Sequence, residues 1–344
     1  VPEAIASTME IFDKVEFYDI RHAPIVPAIN IPDGFGNERR EKEDNYLEYL
    51  SFSKAKQIYG ESLPEDVSER LKFELQIIKQ RAASGYFLFF QDVVNTAQSE
   101  LGVWVGPGRG SAAGSLVCYC LGITKIDPLK HDLLFERFLS PEGTMFPDID
   151  IDFDWEGRER VLEWLQQKYG KECCAHVVSF RTFSTDNAFS TVARVNQMHA
   201  PEIPAINERL SYYSSRCPSI KDYVKYEPEI RKAIRKVGNP LRNAIANTAI
   251  LEEKICGLGV RAYEFVVVDK PVSDWAPIST CSIEDSKGNE QIVNCTQYEG
   301  WHVESSGLIK FDFLGLETLS QMRDICASVK VHYDKDFDIE KIPI

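Results

Sequence analysis

The stretch Pro147-Asp148-Ile149-Asp150-Ile151-Asp152-Phe153 decides the fold, because carboxylates alternate in it with apolar residues. A period of two is typical of a β-strand, so the aspartates should share one face and the apolar side chains the other. Side chains two residues apart on a strand lie roughly 6–7 Å apart, and carboxylates held this close repel each other unless cations lie between them. The pattern favours a site for hard divalent cations, Mg²⁺ or Mn²⁺, over the alternative of a solvated strand face.

Length and composition indicate a soluble globular protein. The chain has 344 residues, of which 44% are hydrophobic and 27% are charged, which predicts about two domains. We expect no membrane span, because no run of 18 apolar residues occurs. The nine cysteines include no Cys-x-x-Cys pair and mostly have apolar neighbours, which predicts reduced core cysteines in a cytosolic protein.

The charge of the chain is unevenly distributed. A net charge of −14 argues against tight, indiscriminate binding to nucleic acid. Residues 156–254 nevertheless contain 16 Lys and Arg against 12 Asp and Glu. We therefore expect a mildly basic segment within an acidic protein.

The hydrophobic periodicity predicts an α+β protein. Residues 183–254 read as several short helices joined at prolines, which we interpret as a separate subdomain. Ser111 is expected to cap a buried helix at 112–121. The other predicted helices are at 46–59, from 64 onward, at 86–100, from 156 and from about 316. The predicted strands are at 103–105, 148–153, 175–180, 265–268, 292–296 and 308–313, the last two being assigned a turn at 286–289.

A glycine-rich loop, Gly106-Pro-Gly-Arg-Gly-Ser111, lies between a predicted strand and the buried helix. Glycines allow close approach of a ligand to the backbone, and amides at a helix start attract anions. We expect this loop to bind a triphosphate or phosphodiester, although a simple tight turn is an alternative. The residues expected to contact the anion are Gly108, Arg109, Gly110 and Ser111. The spacing matches neither a Walker loop nor a dinucleotide fingerprint.

A third feature is the aspartate in Lys310-Phe311-Asp312-Phe313. An aspartate in an apolar strand is costly to bury without a partner. Asp312 could be a structural cap or pair with Lys310, which shares its face, or it could complete a carboxylate triad with Asp148 and Asp150. The triad and the glycine loop together suit phosphoryl transfer, which needs a phosphate cradle and two metals about 3.5–4 Å apart.

The sequence resembles the C-family bacterial replicative polymerases, the DNA polymerase III alpha subunits, over almost its whole length. Four ordered motifs have the spacing of that family, and shorter likenesses occur at Gly85–Leu88 and Trp275–Pro277. The four motifs are Gly106–Ser115, Leu133–Leu139, Pro147–Phe153 and Leu308–Leu316.

The resemblance implies a polymerase-β-like nucleotidyltransferase palm, a mixed β-sheet with helices, into which a mainly helical thumb is inserted. By this likeness we expect palm at 1–155 and 255–320 and thumb at 156–254. Residues 1–45 resemble the exit from a PHP domain and 321–344 the start of the fingers. The chain is thus expected to be an excised piece without the PHP domain and most of the fingers, inactive or nearly so in isolation.

The resemblance also implies a reaction: DNA-templated transfer of a nucleotide from dNTP to a primer 3′-hydroxyl. It carries over Asp148, Asp150 and Asp312 as the catalytic ligands of two Mg²⁺ ions, which Mn²⁺ can replace. Gly110 and Ser111 match the family's loop that holds the incoming triphosphate. Arg137 and Lys310 match basic residues near the nucleotide or the primer end, and the role of Asp152 stays open. The implied partners are primer–template DNA, dNTP and, in the intact protein, replisome subunits including the sliding clamp, in the cytoplasm at the nucleoid.

Two segments depart from the family pattern. Arg181-Thr-Phe-Ser-Thr-Asp186 stands where the family has Gly-Thr-Met-Ala-Ala-Lys, and Arg261-Ala-Tyr-Glu-Phe265 stands where it has His-Ala-Gly-Gly or a close variant. These departures motivate a second hypothesis, a catalytically weak or inactive paralogue that binds nucleic acid. A third hypothesis is a nucleotidyltransferase that acts on small molecules or RNA ends.

Overall fold

The computed structural model describes residues 2–142, 146–198, 202–213, 219–285, 288–333, 335–339 and 342. The chain divides into two compact units, one made of Val1–Val178 and Val260–Ile344 and the other of Ser179–Gly259. Helices and a six-stranded mixed sheet are both present, which confirms the predicted α+β class. Among the described residues, no helix is long and apolar enough to cross a membrane.

The sheet has the strand order β1-β6-β3-β2-β5-β4. β1 and β6 are parallel neighbours, and β3 runs antiparallel to β6 on its other side. This order places the two predicted acidic strands side by side, although they lie far apart in the sequence. The strands are β1 (Asp150–Asp154), β2 (Cys174–Thr182), β3 (Ile255–Val267), β4 (Ile278–Glu284), β5 (Glu290–Thr296) and β6 (Phe311–Leu316).

The paired residues Asp150 and Asp312 lie 162 positions apart in the sequence. Pairing of strands this far apart is decided by tertiary packing, because no local turn can set the register.

Two helices of the first unit lie close to their predicted positions: one starts at Glu65, against a predicted start at 64, and the other covers 84–99, against a predicted 86–100. α4 has many apolar residues, and eleven of its sixteen positions are buried. The helices of this unit are α1 (Pro2–Phe12), α2 (Arg39–Tyr59), α3 (Glu65–Gln80), α4 (Ser84–Ser99), α5 (Leu116–Cys120), α6 (Trp155–Tyr169), α12 (Gly300–Ser305) and α13 (Glu317–His332).

The main core of the first unit lies between these helices and one face of the sheet. Phe89 of α4 packs on Phe311 of β6 with ring centroids 4.4 Å apart, and Phe90 packs against Phe313. Ile151 and Phe153 of β1 are buried in the same core. Burial of this apolar face leaves the alternate residues of β1 and β6, the aspartates, on the opposite face.

The second unit is helical, as predicted for 183–254, and has a hydrophobic core of its own that includes Phe189, Leu210 and Leu241. It starts at Ser179, later than the boundary at 156 predicted for the thumb. The difference arises because α6 buries Val161 and Leu165 in the core of the first unit. The helices of this unit are α7 (Thr185–Val195), α8 (Glu202–Tyr213), α9 (Ile220–Tyr226), α10 (Pro228–Val237) and α11 (Asn239–Leu251).

The predicted helix cap at Ser111 is wrong. Residues Gly110–Gly114 form a 3₁₀ helix, and α5 begins only at Leu116. Its cap is Ser115, whose hydroxyl accepts a hydrogen bond from the Cys118 amide at 3.1 Å. Two serines lie four positions apart in this loop, and the local preference of serine for caps does not distinguish between them.

Three smaller predictions, on a strand, a turn and the cysteines, can be compared with the structure. β3 covers 13 residues, far more than the predicted 265–268, because its first part is mostly exposed and is interrupted by Gly257 and Gly259, a residue type that is depleted in strands. The turn predicted at 286–289 and Cys217 lie partly or wholly outside the described residues. The eight cysteines that are described are free, as predicted; Cys256 is exposed and Cys281 half-buried, and six are buried.

Candidate active site

The structure brings together the three aspartates that the sequence analysis combined into a triad. Asp150 of β1 pairs in register with Asp312 of β6, and Asp148 lies just before β1. Each of the three offers a carboxylate oxygen, and these oxygens all lie within 4.8 Å of one another. Oxygen ligands grouped in this way suit a hard divalent cation.

The electrostatics of the triad fit a cation site. Burial, followed by the charges of Asp148, Glu264 and Asp150, raises the pKa of Asp312 to about 6. Burial and the charge of Asp150 likewise raise the pKa of Asp148. Asp312 Oδ1 is buried and has no hydrogen-bond partner, which is costly for a carboxylate unless an ion or water satisfies it. The donor set and this orphaned oxygen both fit Mg²⁺ or Mn²⁺.

Two buried groups hold the acidic strand in place. The Tyr86 hydroxyl, on α4, accepts a hydrogen bond from the Ile149 amide at 3.0 Å, between the first two aspartates. Asp154 caps α6 by accepting from the Gly157 amide at 2.9 Å, and it pairs with Arg323 at 2.6 Å. The sequence analysis missed both residues, although an aspartate just before a helix is a recognisable cap signal.

The glycine loop lies directly against β1. The Gly106 amide donates to the Asp152 carbonyl oxygen at 2.8 Å. Gly110 has a φ of +63°, and a Cβ at this position would lie 3.8 Å from Asp150 Oδ2. The left-handed backbone conformation favours glycine at this position, and the loop lies in van der Waals range of a triad residue.

Arg109 connects the loop to two carboxylates of β1. Its Nε lies 3.5 Å from Asp150 Oδ2, and its Nη1 lies 3.3 Å from Asp152 Oδ1. Asp152, whose role the sequence left open, thus has a cation partner and faces the loop. Ser111 is exposed in the 3₁₀ helix that follows Arg109.

A buried glutamate that the sequence analysis missed supports the end of the loop. Glu74 of α3 is fully buried and accepts hydrogen bonds from the amides of Leu116 and Val117 at 2.9 and 3.0 Å, and from the Ser115 hydroxyl at 2.8 Å. Arg70 pairs with it at 2.6 Å. Burial raises the pKa of Glu74, and these donors oppose the rise. Its position on the apolar stripe of α3, between buried Leu71 and Ile78, is the signal that could have identified it.

The two other predicted basic residues, Lys310 and Arg137, lie in different surroundings. Lys310 Nζ lies 3.2 Å from Glu304 and 3.9 Å from Glu264, so its ion-pair partners include carboxylates that the sequence analysis did not consider. Arg137 is exposed on the 3₁₀ helix Phe135–Arg137. The segment before that helix contacts the loop, since a Cβ on Gly114 would lie 2.7 Å from the Leu134 oxygen.

Comparisons with known proteins identify the family of the chain. Residues 45–315 match the family model described as the bacterial DNA polymerase III alpha NTPase domain. The DNA polymerase III subunit alpha of Neisseria meningitidis serogroup B is 33% identical over 353 residues, covering 100% of this chain and 30% of the relative. That of Thermus aquaticus is 35% identical over 81% of this chain and 22% of the relative, and that of Bacillus subtilis is 32% identical over 99% and 29%.

The chain therefore spans less than a third of the length of these relatives. The family match includes the glycine loop and all three aspartates of the triad. On these grounds the chain belongs to the family of bacterial DNA polymerase III alpha subunits.

Proposed function

We propose that the chain forms the catalytic core of a DNA-templated DNA polymerase, with a palm of the polymerase-β-like nucleotidyltransferase type. The observation that carries the proposal is the convergence of Asp148, Asp150 and Asp312 from adjoining strands beside a glycine loop. In this proposal the triad holds two Mg²⁺ ions, for which Mn²⁺ can substitute. When bound, the ions supply charge neutralisation on the phosphates and activation of the primer 3′-hydroxyl.

The residues of the chain have separate tasks in this proposal. Asp148 and Asp150 act together as ligands from one segment, and Asp312 supplies a ligand from the neighbouring strand. Gly108, Gly110 and Ser111 present the loop to the triphosphate, and Arg109 exchanges its carboxylate partners for phosphate oxygens once the aspartates are occupied. Lys310 faces the nucleotide or primer end, and Arg137 contributes positive charge from the adjoining segment.

The substrates and partners in the proposal are dNTP and primer–template DNA. The helical unit at 179–259 is a candidate thumb that contacts the phosphate backbone of the duplex, since the predicted thumb segment carries a positive balance of charge. In a whole polymerase subunit we expect further contacts with replisome proteins, including the sliding clamp, and a location at the nucleoid in the cytoplasm.

Primer extension by a polymerase subunit that contains this chain tests the proposal. Asp150→Asn should reduce extension by more than about a hundredfold, because one ligand of the metal pair is lost. Asp19→Asn is the matched control, since Asp19 is exposed and pairs only locally with Arg21. Normal extension by the Asp150→Asn variant would refute the assignment.

A second candidate function is a nucleic-acid-binding paralogue without efficient catalysis. It is favoured by the ion pairs that hold Lys310 to Glu304 and Glu264, because a lysine paired in this way is less available to a nucleotide. If the chain binds duplex DNA but does not bind Mn²⁺, this second candidate is the better one.

A further inference from the structure

Glu264 lies in one row with two residues of the triad. β3 pairs with β6 so that Glu264 is opposite Asp312, and β6 pairs with β1 so that Asp312 is opposite Asp150. Residues directly opposite on neighbouring strands project to the same face. Three carboxylates from three strands therefore form a line across the sheet.

Like charges directly opposite each other destabilise a sheet, and Glu264 is only 3% exposed. Two cations offset this cost: Arg261 Nη1 lies 2.9 Å from Glu264 Oε1, and Lys310 Nζ lies 3.9 Å from the same oxygen. Burying the Glu264 carboxylate beside Asp312 therefore costs folding free energy, even with two cationic partners.

The Oε1 atom of Glu264 contacts both cations. In the part of the chain that the structure describes, the group whose oxygens all lie within 4.8 Å of one another consists of Asp148, Asp150 and Asp312. Glu264 is therefore a neighbour of the cation site and not one of its clustered ligands. Its charge still acts on the site, because Glu264 lies directly opposite Asp312 on the neighbouring strand and a charge this close is felt by a bound cation.

From this geometry we propose that Glu264 is an outer carboxylate of the metal site, which strengthens divalent-cation binding by the triad without coordinating the ion and which anchors Lys310 beside it. The proposal rests on the proposed function of the triad. The physical basis is Coulombic: at a given distance, a negative charge attracts a doubly charged cation twice as strongly as it repels one ionised carboxylate.

The test is the dissociation constant of Mn²⁺ for the full 344-residue chain, measured by calorimetry for the wild type and three variants. Glu264→Gln should weaken Mn²⁺ binding roughly threefold to tenfold, because it removes the charge and keeps the shape. Glu264→Asp should stay within about twofold of the wild type, because the charge remains. Glu304→Gln is the matched control: it loses the same charge and contacts the same lysine, but it should change binding less than about twofold because that glutamate is exposed to solvent.

The outcomes separate this inference from the function on which it rests. Unchanged Mn²⁺ affinity in Glu264→Gln, equal weakening in Glu304→Gln, or equal weakening in Glu264→Asp would each overturn it. If Glu264→Gln does not fold, as monitored by circular dichroism, Arg261→Gln is measured instead: it removes the exposed cation that pairs with Glu264 and should tighten Mn²⁺ binding, and unchanged or weaker binding would overturn the inference. Failure of the wild type to bind Mn²⁺, or normal binding by Asp150→Asn, would instead refute the metal site itself.

Discussion

Replacing Asp312 with asparagine should stabilise the metal-free protein while it impairs cation binding. The carboxyl of Asp312 has a pKa of about 6 in the folded chain, against an ordinary value of 3.8, chiefly because of burial and the charge of Asp148. The folded state therefore holds this proton more tightly than the unfolded state does. The stability that the proton provides is complete below pH 3.8 and is lost as the pH rises through about 6, so at pH 7.5 ionised Asp312 destabilises the fold.

The magnitude follows from the size of the pKa shift. A shift of about two units corresponds to about 3 kcal/mol, but Asp312 is only partly buried, so solvent screening reduces the effect. We expect Asp312→Asn to raise the free energy of unfolding by about 1 kcal/mol at pH 7.5 without metal, and to have little effect near pH 4.

Urea denaturation at the two pH values, with a chelator present, measures this difference. Excess Mn²⁺ should reverse the order of stability, because the wild type gains binding free energy that the variant lacks. Asp19→Asn is the control, since it changes the same charge at an exposed site. A lower urea midpoint for Asp312→Asn at pH 7.5 without metal would refute the reasoning, because it would show that Asp312 has a structural partner.

Two other substitutions test the supports of the site. Glu74→Gln should lower the free energy of unfolding by about 2–4 kcal/mol, because the new amide NH₂ faces donors such as Val117 N and the charged pair with Arg70 is lost. Urea denaturation measures this loss. The control is Glu69→Gln at an exposed position of the same helix, which should stay within about 0.5 kcal/mol of the wild type. Tyr86→Phe leaves the buried Ile149 amide without its acceptor, which should cost about 1–2 kcal/mol and weaken Mn²⁺ binding in calorimetry; unchanged affinity would show that the hydroxyl does not position the acidic strand.

The sequence predicts those parts of the site that depend on short-range pattern. Alternation over Pro147–Phe153 is sufficient to orient the aspartates, because strand geometry fixes which side each residue faces. That Asp312 joins them depends on strand order, which the resemblance implied and which the periodicity of either segment alone leaves open. The contribution of Glu264 could not be predicted, because its partner Lys310 is 46 positions away in the sequence.

The wrong helix cap has a similar physical explanation. Ser111 and Ser115 have the same intrinsic preference for a cap position, and only a contact from α3 separates them. Glu74 binds the Ser115 hydroxyl together with the amides that follow it, which fixes the start of α5 at the later serine. A tertiary contact thus overrides local propensity, as is common for short helices.

The acidic strand shows how one repeated residue type serves different purposes according to its surroundings. Asp150 faces Asp312 across the strand pair and has a cation partner in Arg109. Asp152, two positions later, also contacts Arg109. Asp154 is fully buried and satisfied by backbone amides and Arg323, so it has no oxygen to spare for an ion. The period of two places all of them on one face, but at the start of the strand Asp150 lies opposite Asp312, whose buried Oδ1 has no hydrogen-bond partner, and this crowding of like charges is what makes that end of the strand suitable to bind cations.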